Sequence, residues 1–359
     1  MKLRNIKWWR VLIGVLWIPI AAELWLRVFA PVPMLPRFIE AGPHGVRTNM
    51  PGRTYRHQTP EYKVEIRTNA QGLRADEEFD RSPGDDTIRI VVLGDSFGMG
   101  YGVNLEESSL HLLERRLAEA TGCEVEILNF SVSGFGPAEQ LIVLEAEAID
   151  FDPDLVVQYY FSNDPTDDLR SSLFRLEDGE LKRGNSNYLP AVKIREFLFS
   201  FAVYRWLASE SNLYNFFRDK AGANAKYWLA KYRSWARPAP PPLPVPVETP
   251  EAEDETVPHL LTLAILDRMR RMTQDAGAEF LILSIPIRRA RDRFTESFPE
   301  RDPFSLPVVS PLDRFNAAEG RMLYWERSHG HWTPLGCRLV ADELADAILN
   351  GPIGRRACD

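Results

Sequence analysis

Cysteine and histidine are scarce in this 359-residue chain, which has three cysteines (Cys123, Cys337, Cys358) and six histidines. No Cys-x-x-Cys or His-Glu-x-x-His spacing occurs, so the about four ligands of a closed metal site are not on offer. The His329/His331 pair is therefore not read as a metal site, and no metal is expected. Three cysteines define no disulfide framework. One disulfide and one leftover thiol are allowed outside the cytoplasm, while Cys123 and Cys337 read equally well as buried small apolar residues. Positive charge is in deficit, with a formal net charge of −8, which argues against nucleic acid or an anionic lipid surface as partner. A Leu-x-x-Cys lipobox is missing near the start, so no lipid anchor is expected.

A long uncharged run is missing as well. Lys2, Arg4, Lys7 and Arg10 precede an uncharged stretch from Val11 to Ala22, too short to span a bilayer alone, so a cleaved signal peptide competes with an anchor. Cleavage fits poorly. Before a cut after Ala22 stands the bulky Ile20, and after Ala30 comes Pro31, whereas Trp8, Trp9, Trp17 and Trp25 suit interfacial anchoring. Glu23 and Arg27, four apart, share a helical face and can pair near the headgroups while the arginine snorkels. Trp8 to Ala30 is read as an uncleaved signal anchor. Its basic amino side places the N-terminus in the cytoplasm and the rest outside the membrane.

What is abundant suits a folded domain: hydrophobic residues make up 45% and charged residues 26%. Ile88 to Leu93 is an apolar, β-branched run between Pro83-Gly84-Asp85-Asp86 and Gly94, as for a strand buried on both faces of a parallel sheet. It breaks into Gly94-Asp95-Ser96-Phe97-Gly98, and in open α/β sheets ligands bind beyond the carboxyl ends of the strands. Ser96 thus stands where a nucleophile belongs, although Gly-Asp-Ser alone is a common turn tripeptide. A second strand, Val125 to Phe130, runs into Ser131-Val132-Ser133-Gly134; a third, Leu155 to Phe161, into Ser162-Asn163-Asp164. Near the C-terminus His331-Trp332-Thr333-Pro334 precedes an amphipathic helix beginning near Gly336.

These four clusters, in this order, resemble the blocks of the SGNH, or GDSL-type, hydrolase superfamily. Gly94-Asp95-Ser96-Phe97 matches the first, Asn129 to Gly134 the second, Asn163-Asp164 the third, and His331 with Trp332 the last. The resemblance extends from about Thr68 to Leu349, and Thr68 to Arg74 looks like a segment that precedes the catalytic domain in membrane-anchored bacterial members. It implies Ser96 as nucleophile and His331 as base. The oxyanion hole it implies comprises the backbone N–H groups of Ser96 and Gly134 and the side-chain amide of Asn163. Gly134 fits because a side chain there could obstruct the pocket. No cofactor is implied.

The chain departs from the family at the acid. The aspartate expected two or three residues before the histidine is replaced by His329 and Ser328. Glu326 is ranked first as the substitute carboxylate; a backbone carbonyl orienting the imidazole in a Ser-His dyad, and the remote Asp313, stay open.

The implied fold is a three-layer α/β/α, flavodoxin-like domain with a parallel sheet, plus an N-terminal transmembrane helix and a small β extension. Residues 1–31 are assigned to cytoplasmic tail and anchor and 32–87 to linker and β extension, in which Glu61 to Thr68 alternate as a half-exposed strand. Residues 88–352 form the catalytic domain and 353–359 a tail. An insertion at 165–258 interrupts the pattern: aromatic-rich helices over Ala191 to Leu207 and Asn212 to Trp235, then a proline-rich, acidic linker from Pro238 to Pro258. Its aromatics could form a lid or acceptor groove but read more readily as ordinary packing. The helix Leu260 to Ala276 and strand Glu279 to Pro286 restore the alternation, and Val308 to Asp313 reads as the penultimate strand and turn.

The expected function is a membrane-anchored, extracytoplasmic ester hydrolase or O-acyltransferase acting through an acyl-serine on acylated glycans or lipids. A partner membrane acyltransferase is compatible with this setting. The missing aspartate keeps open a catalytically inactive protein of the same fold that binds glycans or serves in envelope polysaccharide assembly.

Overall fold

A computed structural model describes residues 8–30, 32, 38–190, 192–218, 256–290, 292–328, 330–355 and 358. The expected cytoplasmic tail, the 238–255 part of the proline-rich linker, most of the second insertion helix and His329 lie outside them. The chain divides into two compact units, one of Arg37–Tyr55, Val64–Ile194 and Pro250–Asp359, the other of Met1–Pro36, Arg56–Lys63 and Arg195–Thr249.

The first unit is built on a five-stranded sheet. Its strands are β1 (Thr87–Leu93), β2 (Glu124–Asn129), β3 (Leu155–Tyr160), β4 (Glu279–Ser284) and β5 (Val308–Val309), in the spatial order β5-β4-β3-β1-β2. Every pairing is parallel. This is the doubly wound order in which the first and third strands meet at the topological switch point, and the register Val92↔Val157 and Leu93↔Gln158 brings the ends of β1 and β3 together there.

Period-two alternation along β1 sorts its side chains into two cores. Ile88, Ile90 and Val92 join Leu110, Leu113 and Leu117 of α1 (Ser109–Thr121) and Val340, Leu344 and Ile348 of α4 (Pro334–Leu349). Val91 and Leu93 face Leu141 and Leu144 of α2 (Pro137–Ala146) and Ile265, Leu266 and Met269 of α3 (Thr256–Asp275). All seven residues of β1 are buried, as the apolar run requires. Each such aliphatic side chain contributes about 1.5–3 kcal/mol. The helix after His331 begins at Pro334, where the Thr333 hydroxyl accepts from the Gly336 amide at 3.3 Å.

The insertion departs from its sequence reading twice. A hairpin precedes the helices, Phe174–Glu177 paired antiparallel with Glu180–Arg183. Asp178 and Gly179, at φ 53° and 81°, supply the two left-handed residues of its turn. The first helical stretch is split into Val192–Phe199 and Ala202–Glu210, because the Arg205 guanidinium donates to the carbonyls of Phe199 and Ser200 (2.6 and 3.0 Å) and ends the earlier helix.

The strand expected within Glu61–Thr68 is present as Lys63–Arg67, alternately exposed and buried. In the second unit Trp8–Phe29 is helical, with Pro19 inside it. Among the described residues no helix is long and apolar enough to cross a membrane. Glu23 and Arg27 pair at 2.7 Å.

Cys123 and Cys358 are joined, with Cα atoms 5.0 Å apart, and Cys337 is a buried free thiol. The bridge closes a separation of 235 residues, so removing it loosens mainly the unfolded chain. Replacing both cysteines by serine is expected to cost about 2–4 kcal/mol, read as a lower denaturation midpoint that reductant no longer changes. Equal midpoints for wild type with and without reductant would contradict this.

Candidate active site

The turn that carries Ser96 is set by hydrogen bonds that follow directly on β1. The Asp95 carboxylate accepts from the Phe97 amide at 2.8 Å, and Met99 N–H and Tyr101 N–H donate to the carbonyls of Asp95 and Ser96 at 3.0 and 3.1 Å. Ser96 is left half-buried at the rim while its neighbours are buried. A Cβ at Gly98 would stand 2.3 Å from Ser131 Oγ, so only glycine lets the next loop pack against this turn. Asn129 holds the two loops together, donating to Gly98 O at 3.0 Å and accepting from Ser131 N–H at 3.1 Å.

His331 arrives from the loop before α4. Trp325 N–H donates to the His331 carbonyl (2.8 Å), Thr333 N–H to the Leu323 carbonyl (2.9 Å), and the Trp325 indole to Gly102 O (3.0 Å) in the loop after β1. The imidazole lies beside the rings of Phe97 and Tyr101, at 5.0 and 5.1 Å between centroids. Buried Trp332 packs on Phe97 at 4.8 Å. His331 Nε2 stands 2.8 Å from Ser96 Oγ. A serine hydroxyl within hydrogen-bond reach of an imidazole is the arrangement of an activated oxygen nucleophile.

No protein-family model and no curated protein matches the chain. Among solved structures it is similar to esterases and lipolytic proteins of the GDSL type. A lipolytic protein of the G-D-S-L family from Desulfitobacterium hafniense is 10% identical with a TM-score of 0.38, over 72% of this chain and 98% of that one. An acetyl xylan esterase is 13% identical with a TM-score of 0.39, over 73% of this chain and 100% of that one. A two-domain esterase active on acetylated mannans is 11% identical with a TM-score of 0.39, over 76% of this chain and 51% of that one.

Asn163 closes the turn after β3, beside the loop that carries Ser96, where Phe161 and Phe97 rings are 5.0 Å apart. Its amide nitrogen donates to Asp167 Oδ2 at 2.5 Å, and Asp167 is also paired with Arg170. One amide hydrogen is thereby fixed, which sets the direction of the second.

Gly134 occupies the exposed tip of the loop after β2 at φ 82°. The reason for glycine here differs from the expected one: beyond the left-handed backbone, a Cβ would meet Arg47 Nη1 at 3.2 Å. Arg47 Nη2 donates to the Gly134 carbonyl at 2.6 Å, while Nε and Nη2 engage buried Glu139 at 2.8–3.1 Å. A bidentate, desolvated ion pair of this kind fixes direction as well as position, and here it fixes the peptide at Gly134.

Glu326, the substitute acid ranked first, is exposed and pairs with Arg288 Nη2 at 3.3 Å. Asp313 lies in the first turn of the helix Leu312–Ala317. The partner of the His329/His331 pair, His329, lies outside the described residues.

Side chains from residues 32–87, expected as linker and extension, reach the loops of the site. Besides Arg47, Asn49 donates to Ser131 O at 3.1 Å. Buried Arg74 donates to the carbonyls of Met99, Gly100 and Val103, the last at 2.7 Å. Burial lowers the Arg74 pKa to about 10, so it stays charged at neutral pH. Nothing in the local spacing announces these residues, because their partners lie 25 to 92 positions away.

Acidic groups gather behind Asn163. Burial raises the Asp95 and Asp168 carboxyls to about 7 and Asp164 well above its usual range, reinforced for Asp164 by the charge of Asp95. Asp168 nevertheless accepts from Ala138 N–H at 2.8 Å and the Thr262 hydroxyl at 2.5 Å. Between pH 4 and pH 7 the unfolded chain releases the Asp95 and Asp168 protons while the folded one keeps them, so stability falls as pH rises across that window, and Asp164 acts in the same direction. Asp168→Asn should flatten part of this slope in denaturant midpoints measured from pH 4 to 8. An unchanged slope would mean that Asp168 ionises normally.

Proposed function

We propose that this chain is a serine ester hydrolase or O-acyltransferase of the SGNH type, acting through an acyl-serine on acylated glycans or lipids. The observation that carries the reading is the 2.8 Å contact of Ser96 Oγ with His331 Nε2 at the carboxyl end of the strand beside the switch point. Ser96 Oγ bonds to the ester carbonyl carbon as its proton passes to His331 Nε2. The carbonyl oxygen becomes an oxyanion, facing Asn163 and the amides of Ser96 and Gly134. When the ester C–O bond breaks, the leaving alkoxide takes the proton from His331. Water or a sugar hydroxyl then gives a proton to His331 and displaces Oγ, which recovers it. The acceptor alone separates hydrolysis from transfer.

The helix Trp8–Phe29 serves in this reading as a signal anchor whose 22 residues reach across only with Arg10, Glu23 and Arg27 at the headgroup levels, with the catalytic unit outside the cytoplasm. The basic residues before Val11 support that orientation, and the Cys123–Cys358 bridge supports an oxidising compartment. The test uses the full chain in detergent, exposed to a fluorophosphonate probe, a short-chain acyl ester and an acetylated polysaccharide. Covalent labelling and acyl release are expected. A protein that binds the polysaccharide yet is never labelled and never releases acyl groups is a glycan-binding protein on this fold, and the proposal fails.

A further inference from the structure

The helices at 202–217 are inside out. The fully buried residues are small or polar, namely Ala208, Ser211, Asn212 and Asn215, beside half-buried Leu207, Leu213 and Tyr214, and the Asn215 amide donates to the carbonyls of Ala208 and Ser211 (3.1 and 2.8 Å). Facing outward are large apolar side chains, with Val203 71%, Trp206 55% and Phe217 62% exposed. Val203 and Trp206, three apart, share one helical face. Water disfavours this distribution in proportion to the apolar surface left uncovered.

These helices are tied to the carboxyl end of the helix Trp8–Phe29. Glu23 accepts from the Ser211 hydroxyl (2.9 Å) and from the amides of Asn212 (3.0 Å) and Leu213 (2.8 Å). Arg27 Nη2 donates to Glu210 O (2.6 Å), and Val32 N–H to Asn212 Oδ1 (3.1 Å). The one carboxylate of that apolar helix is therefore fully engaged, and it fixes the depth of residues 210–213 relative to the anchor. Leu24, Trp25, Val28 and Phe29 of the same helix are exposed in turn.

We infer that Val203, Trp206 and Phe217 insert into the outer leaflet at the headgroup–acyl boundary, so that the insertion is a second, interfacial membrane contact beside the anchor. The occupant is lipid because the apolar surface is bonded, through Glu23 and Arg27, to the end of the segment read as membrane-embedded, which holds it at the level of the outer headgroups. The inference rests on the anchor reading above.

The experiment places an environment-sensitive NBD label on single introduced cysteines in the full chain, reconstituted in phosphatidylcholine/phosphatidylglycerol vesicles. Trp206→Cys and Val203→Cys test the insertion, and Leu24→Cys tests the anchor. Cys337 is buried and the other two native cysteines are bridged, so the introduced thiol takes the label. Blue-shifted emission at 203 and 206, with severalfold quenching by lipids spin-labelled near the headgroup, is expected. Water-like emission at both, with Leu24 quenched, overturns the inference and leaves the anchor standing. Water-like emission at all three sinks the anchor too. Blue-shifted emission at 203 and 206 that lipid spin labels do not quench means a protein surface covers the patch, which also overturns the inference.

Discussion

Ser96→Ala is expected to remove turnover on any acyl ester, by a factor on the order of 10⁶, and to abolish fluorophosphonate labelling. That magnitude is what removal of the serine or the histidine alone costs in a serine protease, where the double change costs little more. The same non-additivity is expected here if Ser96 Oγ and His331 Nε2, 2.8 Å apart, act as the one proton-transfer unit proposed above. His331→Ala should fall by a comparable factor, and Ser96→Ala combined with His331→Ala by no more than either. Folding gives a clean control: Ser96 is half-buried at the rim, so the denaturation midpoint of Ser96→Ala should match wild type. Independent, multiplying losses would mean that serine and histidine do not act together. Turnover of Ser96→Ala within tenfold of wild type would place the nucleophile elsewhere.

Asn163→Ala should lower kcat by about 10²–10³, or about 2.7–4 kcal/mol of transition-state stabilisation, with little change in KM. The amide donor matters only when negative charge develops on the carbonyl oxygen, so the ground-state complex barely registers its loss. Asn163→Asp should be at least as damaging, since it replaces a donor by a carboxylate next to Asp164 and Asp167. The geometry adds a diagnostic. Asp167 holds one side of the Asn163 amide at 2.5 Å, so Asp167→Ala should reproduce a part of the kcat loss through disorientation, again without a KM effect. A loss confined to KM in Asn163→Ala would make this side chain a substrate-binding group and leave the oxyanion to backbone donors alone.

Ser96 and Asn163 were legible as candidates because each stands in a polar turn directly after an apolar strand, and His331 because it precedes an amphipathic helix; the structure brings Ser96 Oγ and His331 Nε2 to 2.8 Å. The sheet was legible for the same reason, and its strands lie within a residue or two of their expected limits. What stayed hidden is what holds the turns in place. Arg47 acts on Gly134 and Glu139 across 87 and 92 positions, and such a partnership leaves no periodic trace. The hairpin at Phe174–Arg183 did leave one, in Asp178-Gly179 between alternating residues. The break at Ser200 depended on one arginine reaching back to two carbonyls, which helical periodicity does not encode.

The buried guanidinium of Arg74 has a consequence for how this architecture can be inherited. Three carbonyls of the loop after β1 converge on it, yet it is delivered by a segment that ends before the sheet's first strand begins at Thr87. A recombination breakpoint between residues 74 and 87 would look harmless, since it falls in a loop and interrupts no strand or helix. It would strand a cation on one side and take the guanidinium from three carbonyls on the other, of which only that of Gly100 keeps another donor, the Val103 N–H, so the upstream segment and the sheet exchange between proteins as one piece.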